Sequence, residues 1–427
     1  MKSIFSKFFL LIAVTGFMSS PVPGFAYSVL THEAIIDASW EKSIQPLLKQ
    51  KYPGVTDSAL KIAHSYAYGG AIAPDMGYFP FGSPMFTNLV HYVRSGNFVN
   101  ALLDEAKDVN EYAFALGFLC HYMADKYGHF LGTNLCVPIV YPKVKKKYGN
   151  VVTYEEDRIA HKRIEFAFDV LQTAKGNYAT LAYHDFIGFN VARPVLERAF
   201  SKTYGLNLNK VFGNLSLAIE TFRWSVKSLF PVFTRAAWLT KKNEILKTQP
   251  TATSRSFRYR MNRANDYQYA GSNQKKLGIL GNVASWFILV LPKVGPLRAL
   301  KIKEPGPVAE KIFIQSFDTV LIKYSSSVMK LGKGDVDFMN IDFDTGNKTA
   351  AGEYMLADKT YGKLLIKLHE KDFNLVTNEL KLMVIDFFSQ ATPRVSTKRD
   401  RREWRKITVA LAQFKLSTTQ KNLTVHE

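Results

Sequence analysis

The chain has 427 residues, of which 56 are Lys or Arg and 36 Asp or Glu, giving a formal net charge of +20, and Cys120 and Cys136 are its only cysteines. Two cysteines exclude a disulfide-stapled scaffold, so stability must come from packing, and a chain of this length can bury a sizeable core. The positive excess suits an anionic partner, lipid or nucleic acid, unless it only forms a solvated face on an exported protein.

Lys2 and Lys7 precede an apolar stretch over 8–17 and a run ending in Gly24, Phe25 and Ala26. This order predicts a secretory signal peptide over 1–26, cut after Ala26, with Tyr27 as the first mature residue and the periplasm or the medium as destination. Its apolar core is too short to span a bilayer. Cleavage removes two lysines and no acid, so +20 becomes +18 in the mature chain.

Helical spacing dominates the remainder of the chain. Thr31 can cap a helix over 32–40, and Asn97 can cap one over 98–107. The stretch 111–126 is apolar on nearly every side and should run through the middle of a bundle. Further helices are predicted at 155–173, 191–204 and 215–239. Cys120 falls in the central apolar stretch, so the two cysteines are either bridged or buried thiols.

From Lys241 the composition turns polar and basic, and 241–276 reads as a linker. The apolar run 277–292 is too short and too interrupted for a membrane span and reads as a buried hairpin or an element that dips into lipid. Helical patterns return at 308–331, 355–370 and 375–389. Between them, Asp342-Phe-Asp344-Thr-Gly346 with Glu353 resembles a calcium loop, but its glycine is one place early, and it reads as a turn. Basic runs stand at Lys143, Lys145, Lys146 and Lys147, and at Lys398, Arg399, Arg401, Arg402, Arg405 and Lys406. The organisation is a signal peptide, a helical domain over 27–240, the linker, and a helical C-terminal region over 277–427, with no transmembrane helix in the mature chain.

Seven histidines, His32, His64, His91, His121, His129, His161 and His184, lie in the first half of the chain. A lone histidine is usually a satisfied polar residue; spacing sets some of these apart. His121, Asp125 and His129 are successive i, i+4 positions on the predicted central helix, and His161 and Glu165 repeat the pattern on another. Buried imidazoles and carboxylates are costly without partners, and a metal cluster removes that cost. Imidazole nitrogen and carboxylate oxygen without thiolate suit zinc in an open, catalytic site.

The run His121-Tyr-Met-Ala-Asp125-Lys-Tyr-Gly-His129, with His161-Lys-Arg-Ile-Glu165 downstream, resembles the zinc-dependent phospholipase C family, whose relatives include P1-type nucleases. Tyr27, His32, Asp75 and His91 extend the likeness upstream, and the helical texture carries it to about residue 239. The spacing of Asp125 and His129 is closer to the glycosylphosphatidylinositol-specific phospholipase D branch. The resemblance implies a mainly α fold, a multi-helix bundle around a trinuclear zinc site with an additional helical C-terminal region. It implies that Asp75, His91, His121 and Asp125 hold one zinc and that His129, His161 and Glu165 hold a second. A third is then held by His32, by Asp125 as a bridge, and by the α-amine and carbonyl of Tyr27. An α-amine titrates near roughly 8 and yields its proton to metal more readily than lysine.

The implied reaction is hydrolysis of a phospholipid head-group phosphodiester at a membrane surface by a zinc-bound hydroxide, with Asp75 orienting the water or taking its proton and Asp125 bridging metals. Tyr66, Tyr68, Tyr78, Phe79 and Phe81 flank Asp75 and are either core or the wall of a head-group pocket. Two other readings stand beside this one: a nuclease of the P1 type, with nucleic acid as partner, and a non-catalytic exported helical protein stabilised by zinc.

Overall fold

The computed structural model describes residues 28–175, 177–178, 187–248, 301–334, 336–390 and 398–419. The signal peptide, Tyr27, His184 and the apolar run 277–292 lie outside them. Among the described residues the chain is helical and contains no strand, only an isolated bridge between Ile341 and Lys348. We number the helices of eight or more residues. They are α1 (Val29–Ser39), α2 (Asp57–Ile72), α3 (Pro84–Tyr92), α4 (Ser95–Glu105), α5 (Val109–Gly128), α6 (Arg158–Lys175), α7 (Arg193–Tyr204), α8 (Leu215–Trp224), α9 (Phe230–Thr248), α10 (Gly306–Leu331), α11 (Met355–His369), α12 (Asn378–Gln390) and α13 (Lys398–Leu416).

The centre of the bundle is α5. Asp108 starts it by accepting from the backbone N–H groups of Asn110 and Glu111 at 2.8 and 2.9 Å. Every residue from Glu111 to Asp125 is buried, as its all-round apolar composition predicts. On one side α2 lies against it with almost no side chain between. A Cβ on Gly117 would stand 2.1 Å from the carbonyl oxygen of Ala67, and one on Gly70 would stand 2.0 Å from that of Phe114. On the other side runs α10, whose Tyr324 hydroxyl donates to the Leu116 carbonyl oxygen at 3.0 Å.

The C-terminal helices belong to the same interior. A single apolar cluster runs from Val29 and Leu30 of α1, through α5, to Tyr324 of α10, Leu364 of α11, Val384 of α12 and Phe414 of α13. Among the described residues no helix is long and apolar enough to cross a membrane. Both cysteines are buried and free, so the bridge is excluded.

Several local expectations are corrected. Thr31 does not cap α1; Ser28 occupies that position and Thr31 sits inside the helix. Asn97 lies inside α4, which starts after Arg94; its backbone N–H donates to Asn340 Oδ1 at 3.1 Å. The helix predicted over 215–239 is interrupted by a π-turn at Ser225–Leu229, after which α9 runs to Thr248, so the first residues assigned to the linker are helical. The basic run from Lys398, read only as charge, forms the first turns of α13, whose Ile407, Ala410 and Phe414 are buried.

In an open helix interior, alanine is about 1 kcal/mol better than glycine. At position 117 the added methyl must instead push two backbones apart, and overpacking of this kind costs about 1–3 kcal/mol. Gly117→Ala should therefore lower the thermal midpoint. A stabilised variant would mean that α2 and α5 do not touch there.

Candidate metal centre

Six elements deliver eight side chains to one region. His32 comes from α1, Asp75 from the 3₁₀ turn Ala73–Tyr78, and His91 from α3. His121 and Asp125 come from α5, His129 from the π-turn His129–Thr133 that continues it, and His161 and Glu165 from α6. All eight are at most 3% exposed. Tyr27 lies outside the described residues, but Ser28, next to it, is buried at the start of α1.

The side chains fall into three groups whose donor atoms lie within 4.8 Å of one another: His32, His121 and Asp125; Asp75, His91 and His121; and His129, His161 and Glu165. Asp125 turns Oδ1 towards His32 Nε2 at 3.7 Å and Oδ2 towards His121 Nε2 at 3.1 Å and His91 Nε2 at 3.6 Å. Asp75 Oδ1 is 3.5 Å from His91 Nε2. In the third group Glu165 Oε1 is 2.6 Å from His161 Nδ1 and 3.6 Å from His129 Nε2. The third group has the membership expected from the sequence. In the other two His121 is common to both, while Asp125 reaches across them through its two oxygens.

Main-chain and amide oxygens hold the imidazoles. Nδ1 of His91 lies 2.8 Å from the Thr87 carbonyl oxygen, Nδ1 of His121 2.8 Å from that of Ala71, and Nδ1 of His129 2.8 Å from that of Phe343. A carbonyl only accepts, so each of these nitrogens carries the hydrogen and each Nε2 faces the carboxylates. The close contact of α2 with α5 is what brings Ala71 within reach of His121. For His161 the roles reverse: Nε2 is 2.8 Å from Asn134 Oδ1, which leaves Nδ1 towards Glu165.

The residues fit a metal. Among the described residues both carboxylate oxygens of Asp75, Asp125 and Glu165, Nε2 of His129 and Nδ1 of His161 are buried without a hydrogen bond. Such orphaned acceptors cost free energy unless a cation stands among them. The donor set is nitrogen and oxygen without sulfur, which suits zinc.

The electrostatics agree. Burial, with His121 adding, drives His32 well below its ordinary value, and burial with His129 does the same to His161, so both rings are neutral donors. Burial pushes Glu165 well above the carboxylate range, and Asp125 and Asp75 add to it. At Asp125 burial acts upwards but is outweighed by His121, which holds the carboxyl below its usual range. Burial lowers His121, but Asp125 outweighs it and lifts the ring to about 8.

Other residues named from the sequence lie elsewhere or do other work. His64 stacks on Trp40 with ring centres 3.8 Å apart, and burial lowers it to about 3, which is the behaviour of a core histidine. Tyr68 and Phe79 are core, and Phe81 is exposed. Burial raises Tyr78 well above its ordinary value, and Tyr154, Asp75 and Asp344 add to the shift. Lys162, buried beside His161, lies over the rings of Tyr154 and Tyr78 at 5.4 and 5.9 Å.

Two supports were not anticipated. Asp169 continues the i, i+4 series of His161 and Glu165 along α6, and its carboxylate accepts from the backbone N–H groups of Leu30 and Thr31 at 3.0 and 3.1 Å and from the Thr31 hydroxyl at 2.8 Å. It thus caps α1 from another helix and fixes the residues that precede His32. The second support is the turn at 342–346. It is a turn, as read from the sequence, but a buried one whose Phe343 carbonyl holds His129.

Among the described residues the bundle is helical and encloses, around its central helix, three imidazole and carboxylate groups that could hold metal ions. Residues 31–214, somewhat under half of the chain, match the family described as zinc dependent phospholipase C. Comparison with curated proteins and with solved structures gives no match.

Asp169→Ala removes the acceptor shared by the Leu30 and Thr31 N–H groups and the Thr31 hydroxyl and should destabilise the protein by about 1–3 kcal/mol. Because α1 carries His32, bound zinc should fall as well, which metal analysis beside thermal unfolding will register. Unchanged stability would mean that α1 is anchored by other contacts.

Proposed function

We propose that the protein is an exported phospholipase C-like phosphodiesterase that binds three zinc ions and hydrolyses the head-group phosphodiester of membrane phospholipids. The observation that carries this reading is the burial of orphaned carboxylate oxygens against imidazole nitrogens in three groups, within a segment of the zinc-dependent phospholipase C family. Asp75, His91 and His121 with Asp125, then His129, His161 and Glu165, and lastly His32, Asp125 and the α-amine and carbonyl of Tyr27 would hold the three ions. Zinc when bound lowers the pKa of water from 15.7 to about 7 and neutralises charge on a phosphoryl group. Asp75, on the 3₁₀ turn at the edge of the site, orients the attacking water or takes its proton. Asp125 holds two groups together through its two oxygens. Burial lowers Lys162 to about 7, a shift that Glu165 and Asp75 oppose, which leaves its amine able to exchange a proton near neutrality beside the third group.

A membrane as the place of action is supported by an open hollow of about 540 Å³ between α11 and α13, lined by Lys363, Lys367, Arg402 and Lys406 together with Met85, Ile366 and Glu403. Four cations with apolar neighbours complement an anionic lipid surface, where each contributes about 1 kcal/mol.

Replacing Lys363, Arg402 and Lys406 together with glutamine should weaken binding to vesicles containing phosphatidylserine by roughly a hundredfold, from the sum of three such terms. Hydrolysis of a short-chain phospholipid in free solution should be unchanged. Equal vesicle binding by the variant and the parent would remove the docking surface. Release of nucleotides from single-stranded nucleic acid, without release of phosphorylated head group, would replace the lipid reading with the nuclease one.

The N-terminus gives a separate test. An extra residue before Tyr27 turns the amine into an amide, a poor ligand at neutral pH. A chain extended by one or two residues should hold about one zinc fewer than one starting at Tyr27, with equal helix content by circular dichroism. Equal metal content would take Tyr27 out of the ligand set.

A further inference from the structure

The family match ends at residue 214, yet the third ligand group is held from residues 343 and 344. His129 Nδ1 donates to the Phe343 carbonyl oxygen at 2.8 Å, so its Nε2 is the nitrogen that faces Glu165. The next carbonyl, that of Asp344, accepts from Asn134 Nδ2 at 2.7 Å. That bond orients the Asn134 amide, so Oδ1 points at His161 Nε2 and His161 presents Nδ1 to Glu165. Two consecutive carbonyls of one turn therefore select the ligating nitrogen of both histidines. The Asp344 carboxylate adds to this: Oδ1 stands 3.6 Å from His129 Nδ1, while Oδ2 accepts from the hydroxyls of Tyr92, at 2.9 Å, and Tyr354.

The turn is seated on the helices that carry the ligand groups. Phe343 N–H donates to the His91 carbonyl oxygen at 3.2 Å, and the Phe343 ring lies 4.8 Å from the His91 ring. Gly346 has φ +72°, and a Cβ there would meet the Lys126 carbonyl oxygen at 2.6 Å, one residue beyond Asp125. By contrast, His91 and His121 take their carbonyls from α3 and α2, inside the matched segment.

We propose that the 342–346 turn is a positioning element of the metal centre, contributed by the C-terminal region, which sets His129 and His161 to bind a divalent metal together with Glu165. The inference rests on the reading that this group holds zinc. Partners that orient ligating histidines and strengthen them as donors are typically worth about 10- to 100-fold in metal affinity.

The test uses the full mature chain and four proteins: parent, Asp344→Asn, Gly346→Ala and Glu165→Gln. Zinc affinity is measured by competition with a chelator, the ligand field by the visible spectrum of the cobalt-substituted protein, and packing by the thermal midpoint of the metal-free protein. Asp344→Asn, which keeps the shape of the side chain, should weaken one zinc by about 10- to 100-fold, alter the cobalt spectrum, and leave the metal-free midpoint near that of the parent. Gly346→Ala, which displaces both carbonyls, should weaken the same ion further. That ion is identified as the one lost in Glu165→Gln. If both turn variants hold all zinc as tightly as the parent with the same spectrum, the turn only packs and the proposal is overturned. It is equally overturned if every zinc weakens in step with a fall in the metal-free midpoint. Should Glu165→Gln keep the parent's full zinc content, the metal reading of this group fails, and the inference with it.

Discussion

The contact of α2 with α5 is the constraint on which the site depends. At Gly70 and Gly117 each backbone lies on the other, and this sets α5 deep enough that every residue from Glu111 to Asp125 is buried. A helix so enclosed can carry polar side chains only where something receives them. His121 and Asp125 are received by His32, Asp75 and His91 on one flank, and His121 is turned the right way by Ala71, from α2 itself. The same contact that buries the helix therefore also orients its first ligand. On the opposite side α10 and the 342–346 turn close the enclosure.

Enclosure has an electrostatic consequence. Asp75, Asp125 and Glu165 are gathered in a low dielectric among buried imidazoles, a combination that apolar packing alone does not stabilise. The upward shift of Glu165 and the orphaned oxygens around it express a shortage of positive charge at that place. Asp169 is also buried and shifted up, to about 6, yet it has three donors of its own. On one face of α6, His161 and Glu165 await a cation while Asp169, one turn on, is satisfied by the start of α1.

Much of this was readable from residue order. The i, i+4 series of His121, Asp125 and His129 and of His161 and Glu165 needed only helical periodicity, and the apolar surround of α5 marked its depth. Boundaries were less readable, for tertiary reasons. Thr31 has the chemistry of a cap, but its hydroxyl is used by Asp169, and Asn97 is used by Asn340. The supports of His129 and His161 were invisible because main-chain carbonyls carry no signature in composition. The side chains of the Asp-Phe-Asp-Thr-Gly segment suggest a metal loop, whereas its hydrogen bonds to the site come from two backbone carbonyls, with the Asp344 carboxylate and the Phe343 ring packed beside them. Asp169 stood in the sequence as a further i+4 step, but its partners are backbone N–H groups, which no motif announces.

The shared interior also has a meaning for the order in which the molecule is completed. His161 precedes Phe343 by 182 residues, 343 less 161. A chain that emerges from its N-terminus presents the donors of the third group long before the segment that turns two of them the right way. Long-range closure of this kind is slow, because the intervening chain must be ordered before the contact is rewarded. Until the 342–346 turn has folded back onto α5, His129 and Asn134 lack the two carbonyls that orient them. Completion of the third group is in this way tied to residues far along the chain, and a partly folded chain has an incomplete site.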